Sequence, residues 1–143
     1  RMTDIHAALG ISQMKRLDEF VQRRNELAAR YDELLAELPV QRPKLIDDAW
    51  SSWHLYPVRL QLNKISRSHR DVFEAVREMG IGVNLHYMPV HLQPYYRTFG
   101  FEEGMFPAAE AYGHDAISLP MFPGLREDEV QQVIAELQKE LRA

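Results

Sequence analysis

The side chains best suited to chemistry lie in one polar and aromatic segment, residues 84–96, with the sequence NLHYMPVHLQPYY. Its Asn, His and Tyr side chains can donate or accept hydrogen bonds, and His is the residue whose charge changes near neutral pH. The segment follows a predicted strand, and loops at strand ends commonly carry binding residues. The pattern leaves two interpretations open: a small-molecule site, or aromatic side chains that fill a gap beside a sheet.

Other chemistries have little support in the sequence. A zinc site would require His54, His86 and His91 to converge with a carboxylate, and no spacing such as H-E-x-x-H is present, so we predict no metal site. Ser118 lies in Ile-Ser-Leu-Pro and not in a nucleophile elbow. The lysines occupy polar helical faces or loops, where an amine stays protonated; they are Lys15, Lys44, Lys64 and Lys139. The chain therefore resembles a binding face without a reactive group of its own.

Composition narrows the class of protein. The chain has 143 residues, 45% of them hydrophobic, and a net charge of −4, which fits one ordered domain. It has no Cys, which excludes a disulfide scaffold and favours the cytoplasm. No apolar run approaches the ~18 residues of a membrane span, and no clustered basic face indicates nucleic acid. We therefore expect neither a membrane nor a nucleic acid as a partner.

The elements that must position segment 84–96 alternate between helix and strand. Apolar periodicity predicts one long helix over 3–37, which Thr3 or Asp4 caps and Pro39 stops. Strands are predicted over 53–62, 81–87 and 117–119, and helices over 68–79, after Pro94, over 107–114 and over 127–141. These elements form a two-layer α+β domain: a small three-stranded sheet with helices on one face and a long N-terminal helix. The predicted division is a connecting helix over 1–38 and a small domain over 39–143.

The length of the first helix carries information. About 35 helical residues span roughly 52 Å, whereas a compact chain of this size is under ~40 Å across. The helix should therefore overhang its own domain or bend at Gly10. Its first turns are apolar on several sides, which is typical of a buried helix end, so we expect residues before Met14 to pack on something outside this chain.

Several blocks of the sequence resemble the DegT/DnrJ/StrS sugar aminotransferases. The blocks occur in the family's order: Arg1-Met-Thr-Asp-Ile-His-Ala-Ala-Leu-Gly-Ile-Ser-Gln-Met, Trp53-His-Leu-Tyr-Pro-Val, Gly80-Ile-Gly-Val-Asn-Leu-His-Tyr-Met-Pro-Val-His, Tyr95-Tyr96 and Ile117-Ser-Leu-Pro-Met-Phe-Pro. The resemblance implies a dimeric fold-type I enzyme that uses pyridoxal 5′-phosphate (PLP). It further implies glutamate as amino donor and a nucleotide-linked 4-keto-6-deoxy sugar as acceptor. The chain would be the C-terminal small domain, inactive alone, because the family's cofactor lysine lies upstream of Arg1.

The resemblance also assigns roles to individual residues. Arg1 would reach the cofactor phosphate of the partner subunit, a role that suits a guanidinium. His86 and Tyr87 would line the substrate side of PLP, Asn84 would also bind the substrate, and His91 would lie near the sugar nucleotide. Arg59 and Arg97 are weaker candidates for binding the glutamate carboxylate.

A rival interpretation is a non-enzymatic module that dimerises through its long helix. The heptad-like stripe of that helix supports it. The polar and aromatic segment 84–96 argues against it, because an interaction helix has no need of such a loop.

Overall fold

The computed structural model describes residues 2–142 and confirms an α+β fold. Its six helices and three strands follow the chain in the order α1 (Asp4–Met14), α2 (Leu17–Leu34), β1 (Val40–Gln41), β2 (Tyr56–Leu60), α3 (His69–Glu78), α4 (Pro94–Arg97), α5 (Pro107–Asp115), β3 (Ala116–Leu119) and α6 (Glu127–Arg142). Short 3₁₀ turns lie at Leu62–Lys64 and Val90–Leu92. In the described part of the chain, no helix combines the length and apolar character needed to cross a membrane.

The sheet has the order β1-β2-β3, and both pairings are antiparallel. The prediction of a strand over 81–87 is wrong: that segment makes a single bridge, from Asn84 to Ser118. The third strand is instead β1, in a stretch where the sequence predicts neither a helix nor a strand. Ile81 and Val83 alternate with polar or small residues as in a strand, and both side chains are buried. The segment is not a strand, because its pairing with β3 ends after one residue pair.

Pro57 sits in the central strand, although a proline is normally confined to an edge strand or a bulge. The strand is central, yet β1 pairs only with Arg59 and Leu60, so β2 has a single neighbour, β3, at Pro57. A proline is tolerated there because no strand lies opposite its missing donor.

The core lies between one face of the sheet and helices α2, α3 and α6. Tyr56, Val58 and Leu60 point into it along β2, while the side chains between them are half-buried. Five apolar side chains of α6 are buried along one side of the helix: Val130, Val133, Ile134, Leu137 and Leu141. Met14 and Leu17 are exposed within the span predicted as one long helix, and so is Met79 at the end of the helix predicted over 68–79.

Helix α3 begins and ends as the sequence predicted. Ser68 accepts a hydrogen bond from the Asp71 backbone, and the Asp71 carboxylate accepts one from the Ser68 backbone, which forms a capping box. Gly80 follows the helix with φ +80°. Its N–H and that of Ile81 donate to the carbonyls of Arg77 and Val76, a Schellman arrangement in which glycine is favoured.

The long first helix is not continuous. The chain leaves helical geometry at Arg16, with φ −113° and ψ 9°, and not at Gly10. The Arg16 guanidinium holds this turn, since it donates to both Glu19 carboxylate oxygens and lies 4.6 Å from the centre of the Phe20 ring. The break therefore falls beside a charged side chain with local partners, and not at the glycine.

Helix α1 is exposed along its length. Thr3 caps it by accepting from the His6 backbone, as predicted, but the helix buries none of its residues within the described chain. The exposed fractions of its large apolar side chains run from 58% at Leu9 to 81% at Ile5. An apolar helix without a covering surface agrees with the expected overhang, while its covering partner stays a prediction.

Candidate functional site

A cleft of about 490 Å³ lies beside the C-terminal half of β3. It is lined on one side by the loop after α3, including Asn84 and His86, and on the other by Glu129 and Gln132 of α6. His54 closes one end. It therefore gathers two of the predicted substrate residues, Asn84 and His86, in one concave site.

Ser118 of β3 supports the His86 side chain. The two side chains are joined by a hydrogen bond of 2.8 Å between His86 Nδ1 and Ser118 Oγ. Ser118 lies in β3 and is only 4% exposed, whereas His86 is half-buried. Ser118, which lies outside any nucleophile elbow, thus supports a histidine.

Asn84 and Tyr87 flank His86 in different ways. The Asn84 backbone exchanges two hydrogen bonds with Ser118, of 2.8 and 3.1 Å, and leaves its side chain exposed at the cleft. Tyr87 is 72% exposed, and its ring meets the His86 imidazole edge to face, with centres 4.7 Å apart. Both side chains are free to contact a ligand, so their predicted substrate role stays open.

His91 has a different environment from His86. It is 7% exposed, and its Nε2 lies 2.8 Å from a carboxylate oxygen of Glu110. The same carboxylate accepts from the backbone N–H groups of Gly104 and Phe106 at 2.9 and 3.2 Å. These donors, with Gly104 first and His91 last, hold the pKa of Glu110 below its ordinary value against an opposing desolvation effect.

The burial of His91 bears on its predicted role. The Phe106 ring lies 4.8 Å from the imidazole and covers it, while Glu110 occupies Nε2. In this arrangement His91 ties the loop after His86 to helix α5. Its role near a sugar nucleotide stays a prediction. In this position His91 would act on a ligand indirectly, because it anchors the loop that carries His86.

The loop beside Tyr87 packs closely on α5 at one point. A Cβ atom placed on Gly113 would lie 2.9 Å from Cδ and 3.1 Å from Cγ of Pro89, and 3.4 Å from the Tyr87 carbonyl oxygen. Only glycine permits this approach, so Gly113 sets how near the site loop lies to the helix.

Two donors of the Arg59 guanidinium are occupied by a carboxylate. Its guanidinium makes two hydrogen bonds of 2.8 Å to the Asp115 carboxylate, a bidentate pair. Arg97 donates to the Leu92 carbonyl. The structure therefore gives no support to Arg59 as a free clamp for a glutamate carboxylate.

The described residues contain no reactive amine or metal cluster. All four lysines are exposed, none lines the cleft, and within 2–142 no group of three or more His, Cys, Asp or Glu side chains could hold a metal ion. The predicted cofactor residue, Arg1, lies outside the described residues. A larger open groove of about 1010 Å³ near the break after α1 is lined by charges that pair with each other, Arg16 with Glu19 and Arg23 with Glu26.

Sequence reasoning missed the residues that support the two histidines. Ser118 and Glu110 lie 32 and 19 residues from their histidine partners. No local spacing connects residues so far apart, and only the pairing of β3 with the site loop and the course of α5 bring them together.

Fold and site together define an α+β domain with a histidine-lined cleft and, among its described residues, no lysine that lines this cleft. Residues 1–138 match the model of the DegT/DnrJ/EryC1/StrS aminotransferase family, and the chain belongs to that family. The resemblance found in the sequence is confirmed at this level.

Individual relatives agree with this assignment. Over 136 residues the chain is 38% identical to the spore coat polysaccharide biosynthesis protein SpsC of Bacillus subtilis. The aligned region covers 93% of this chain and 35% of SpsC. PseC of Helicobacter pylori, an aminotransferase involved in the biosynthesis of pseudoaminic acid, is 29% identical, with a TM-score of 0.87 over 99% of this chain and 38% of PseC. Spr1654 of Streptococcus pneumoniae, assigned as a sugar aminotransferase and solved in a PLP-form, is 30% identical, with a TM-score of 0.88 over 97% of this chain and 35% of its own.

The chain thus spans 35–38% of the length of these relatives. PLP use is a property of such family neighbours, as the PLP-form of Spr1654 illustrates.

Proposed function

We propose that this chain is the C-terminal small domain of a PLP-dependent aminotransferase that moves an amino group from glutamate to a nucleotide-linked 4-keto-6-deoxy sugar. The observation that supports this most is the family match over residues 1–138, nearly the whole chain. Because the chain spans little more than a third of its relatives, the activity belongs to the whole protein and not to these residues alone.

Within that enzyme, this chain supplies the substrate side of the site. His86 and Asn84 line the cleft, and Tyr87 lies exposed beside the His86 ring, so that polar atoms are presented where a sugar hydroxyl or a phosphate oxygen can be bound. The hydrogen bond from Ser118 fixes the His86 ring before a ligand binds, and the bond between Glu110 and His91 fixes the loop that follows. Such pre-organisation reduces the entropy lost on binding.

The cofactor is held mainly by another part of the enzyme. PLP supplies an electron sink for amino-group transfer when it is bound. The lysines of this chain are exposed and lie away from the cleft, so the lysine that carries PLP is expected upstream. Arg1 is proposed to contact the cofactor phosphate of the partner subunit in a homodimer.

The exposed apolar face of α1 fits the same proposal. Ile5, Leu9 and Ile11 have no partner within the described chain, and a larger domain or a second subunit would bury them. Burial of three such side chains contributes several kcal/mol, at roughly 1.5–3 kcal/mol each.

For the finer assignment we propose the UDP-sugar transaminase that makes UDP-4-amino-4,6-dideoxy-N-acetyl-β-L-altrosamine, in the pseudaminic acid pathway. The relation to PseC supports this choice. The whole protein should convert glutamate to 2-oxoglutarate with a UDP-linked 4-keto-6-deoxy sugar and prefer it to the TDP-linked counterpart. Equal turnover of both sugars would remove the finer assignment but keep the class.

The class itself is tested by two measurements on defined proteins. The whole protein, incubated with PLP, glutamate and the UDP-linked ketosugar, should form 2-oxoglutarate in proportion to aminated sugar. The 143-residue chain alone should form no saturable one-to-one adduct with PLP. A stoichiometric adduct on this chain would contradict the division of labour proposed here, and an inactive whole protein that has bound PLP would refute the activity.

The exposed helix α1 is also compatible with the rival function, which is a module that dimerises without catalysis. Leu9→Glu should abolish dimers under either function, whereas Gln13→Glu on the same helix serves as a charge-matched control. The two functions separate on one further result: in the rival case, the whole protein shows no amino transfer with any ketosugar tested.

A further inference from the structure

We propose that Ser118 is a positioning residue that fixes the proton of His86 on Nε2, so that this nitrogen presents an N–H donor to an acceptor oxygen of the sugar substrate. The inference rests on the proposed function for its ligand, but its structural core concerns only two residues of this chain.

All three polar groups of Ser118 engage the segment that carries His86. The Ser118 N–H donates to the Asn84 carbonyl at 2.8 Å, and the Ser118 carbonyl accepts from the Asn84 N–H at 3.1 Å. The hydroxyl is 2.8 Å from His86 Nδ1. One residue of a buried strand therefore sets both the backbone at Asn84 and the ring two residues later.

The direction of the hydroxyl bond follows from the surroundings of Ser118. The residue is 4% exposed, and among the described residues its Oγ has no partner other than His86. If Nδ1 donated to Oγ, the hydroxyl proton would have no acceptor, and an unsatisfied buried donor is costly. Donation from Oγ–H to an unprotonated Nδ1 satisfies both atoms.

The tautomer of the neutral ring is then set. With Nδ1 unprotonated, the single ring proton lies on Nε2, at the other side of the imidazole from Ser118. Nε2 has no partner among the described residues, and His86 lines the cleft. A donor at this place selects an acceptor oxygen, such as a hydroxyl or a phosphate oxygen.

The chemistry is tested first on this chain, without substrate or cofactor. Nitrogen-15 spectra at about pH 8.5, where imidazole is neutral, should show a pyridine-like Nδ1 and a pyrrole-like Nε2 for His86. In Ser118→Ala, the Nδ1 resonance should move towards that of an unbonded nitrogen, while Ser52→Ala, at an exposed serine, should leave it in place. A pyrrole-like Nδ1 in the wild-type chain would overturn the proposal, as would an unchanged Nδ1 resonance in Ser118→Ala. The first of these results needs no variant, so poor folding of Ser118→Ala leaves the proposal falsifiable.

The functional consequence is tested in the whole enzyme, one half-reaction at a time. Ser118→Ala should lower kcat/KM for the ketosugar about tenfold, the effect of one lost hydrogen bond. The half-reaction with glutamate should stay within about twofold of wild type, with Ser52→Ala as control. Equal losses in both half-reactions would reduce Ser118 to a structural residue and overturn the positioning role. If the wild-type enzyme transfers no amino group, the proposed function fails, and the nitrogen-15 result decides the tautomer separately.

Discussion

Substitution of Gly113 tests whether helix α5 controls the position of the site loop. In Gly113→Ala the new Cβ would lie 2.9 Å from Pro89 Cδ, where ordinary contact begins at 3.4 Å. The loop must therefore withdraw by about 0.5 Å at this atom, the difference between the two distances. The proline ring is rigid, so the shift passes to the Pro89 backbone and to Tyr87, whose carbonyl would also touch the new methyl group.

Two opposing effects set the free energy of unfolding of Gly113→Ala. Alanine is more favourable than glycine inside a helix by roughly 0.5–1 kcal/mol. Overpacking of a rigid contact costs typically 1–3 kcal/mol. We expect a net destabilisation of about 1 kcal/mol, together with a displaced but folded loop.

A matched control is available in the same chain. Gly10 also lies in a helix, and a Cβ placed on it would meet nothing within 4 Å. Gly10→Ala should therefore gain roughly 0.5–1 kcal/mol by helix propensity alone. The difference between the two variants isolates the contact with Pro89.

Urea unfolding of both variants measures the free energies, and backbone amide shifts of residues 86–91 report the loop. In the whole enzyme, Gly113→Ala should raise KM for the ketosugar. The reasoning is refuted if Gly113→Ala is as stable as Gly10→Ala and the amide shifts of 86–91 do not change.

Three further experiments probe the scaffold around the site. Glu110→Gln should lower the free energy of unfolding near neutral pH and flatten its dependence on acid. The pKa of Glu110 is depressed in the folded state, so its contribution to stability is present above the unfolded-state pKa and is lost as the pH falls through the folded-state pKa. Unfolding midpoints from pH 7 to 3 check this, and parallel pH profiles of the variant and the wild type would contradict it. A double-mutant cycle on Arg59 and Asp115 should give a coupling free energy of about 1 kcal/mol, since the pair is bidentate but partly solvent-screened, and a value near zero would refute that estimate. Tyr31→Phe should cost about 1 kcal/mol in urea unfolding, because its hydroxyl donates to the Pro120 carbonyl at 3.0 Å from a buried ring; a neutral effect would show that this bond contributes nothing.

Local signals in the sequence predicted several elements well. Ser68 and Asp71 specify a helix start through bonds three residues apart, and Gly80 specifies its end through its own backbone conformation. The α6 stripe succeeded because its apolar side is wide and unbroken. Each of these features depends on neighbours within a few residues.

Features set by distant contacts were not predictable from one sequence. Val40–Gln41 is a strand only because Arg59 and Leu60 lie opposite, and no signal near Val40 encodes that pairing. At the site, the sequence indicated which residues are polar and aromatic. It could not indicate that His86 is supported by a serine at the cleft while His91 is buried against a carboxylate.

The short reach of β1 has a consequence for the behaviour of the chain in solution. An unpaired strand edge can template pairing with other molecules and lead to aggregation. Here β1 offers only two residues, Pro57 removes a donor beside it, and Asn84 caps β3 at Ser118. The sheet therefore has little free edge to which a strand of another molecule could pair. Self-association of the chain should instead proceed through the apolar side chains of helix α1, so detergent should reduce it more than strand-blocking peptides do.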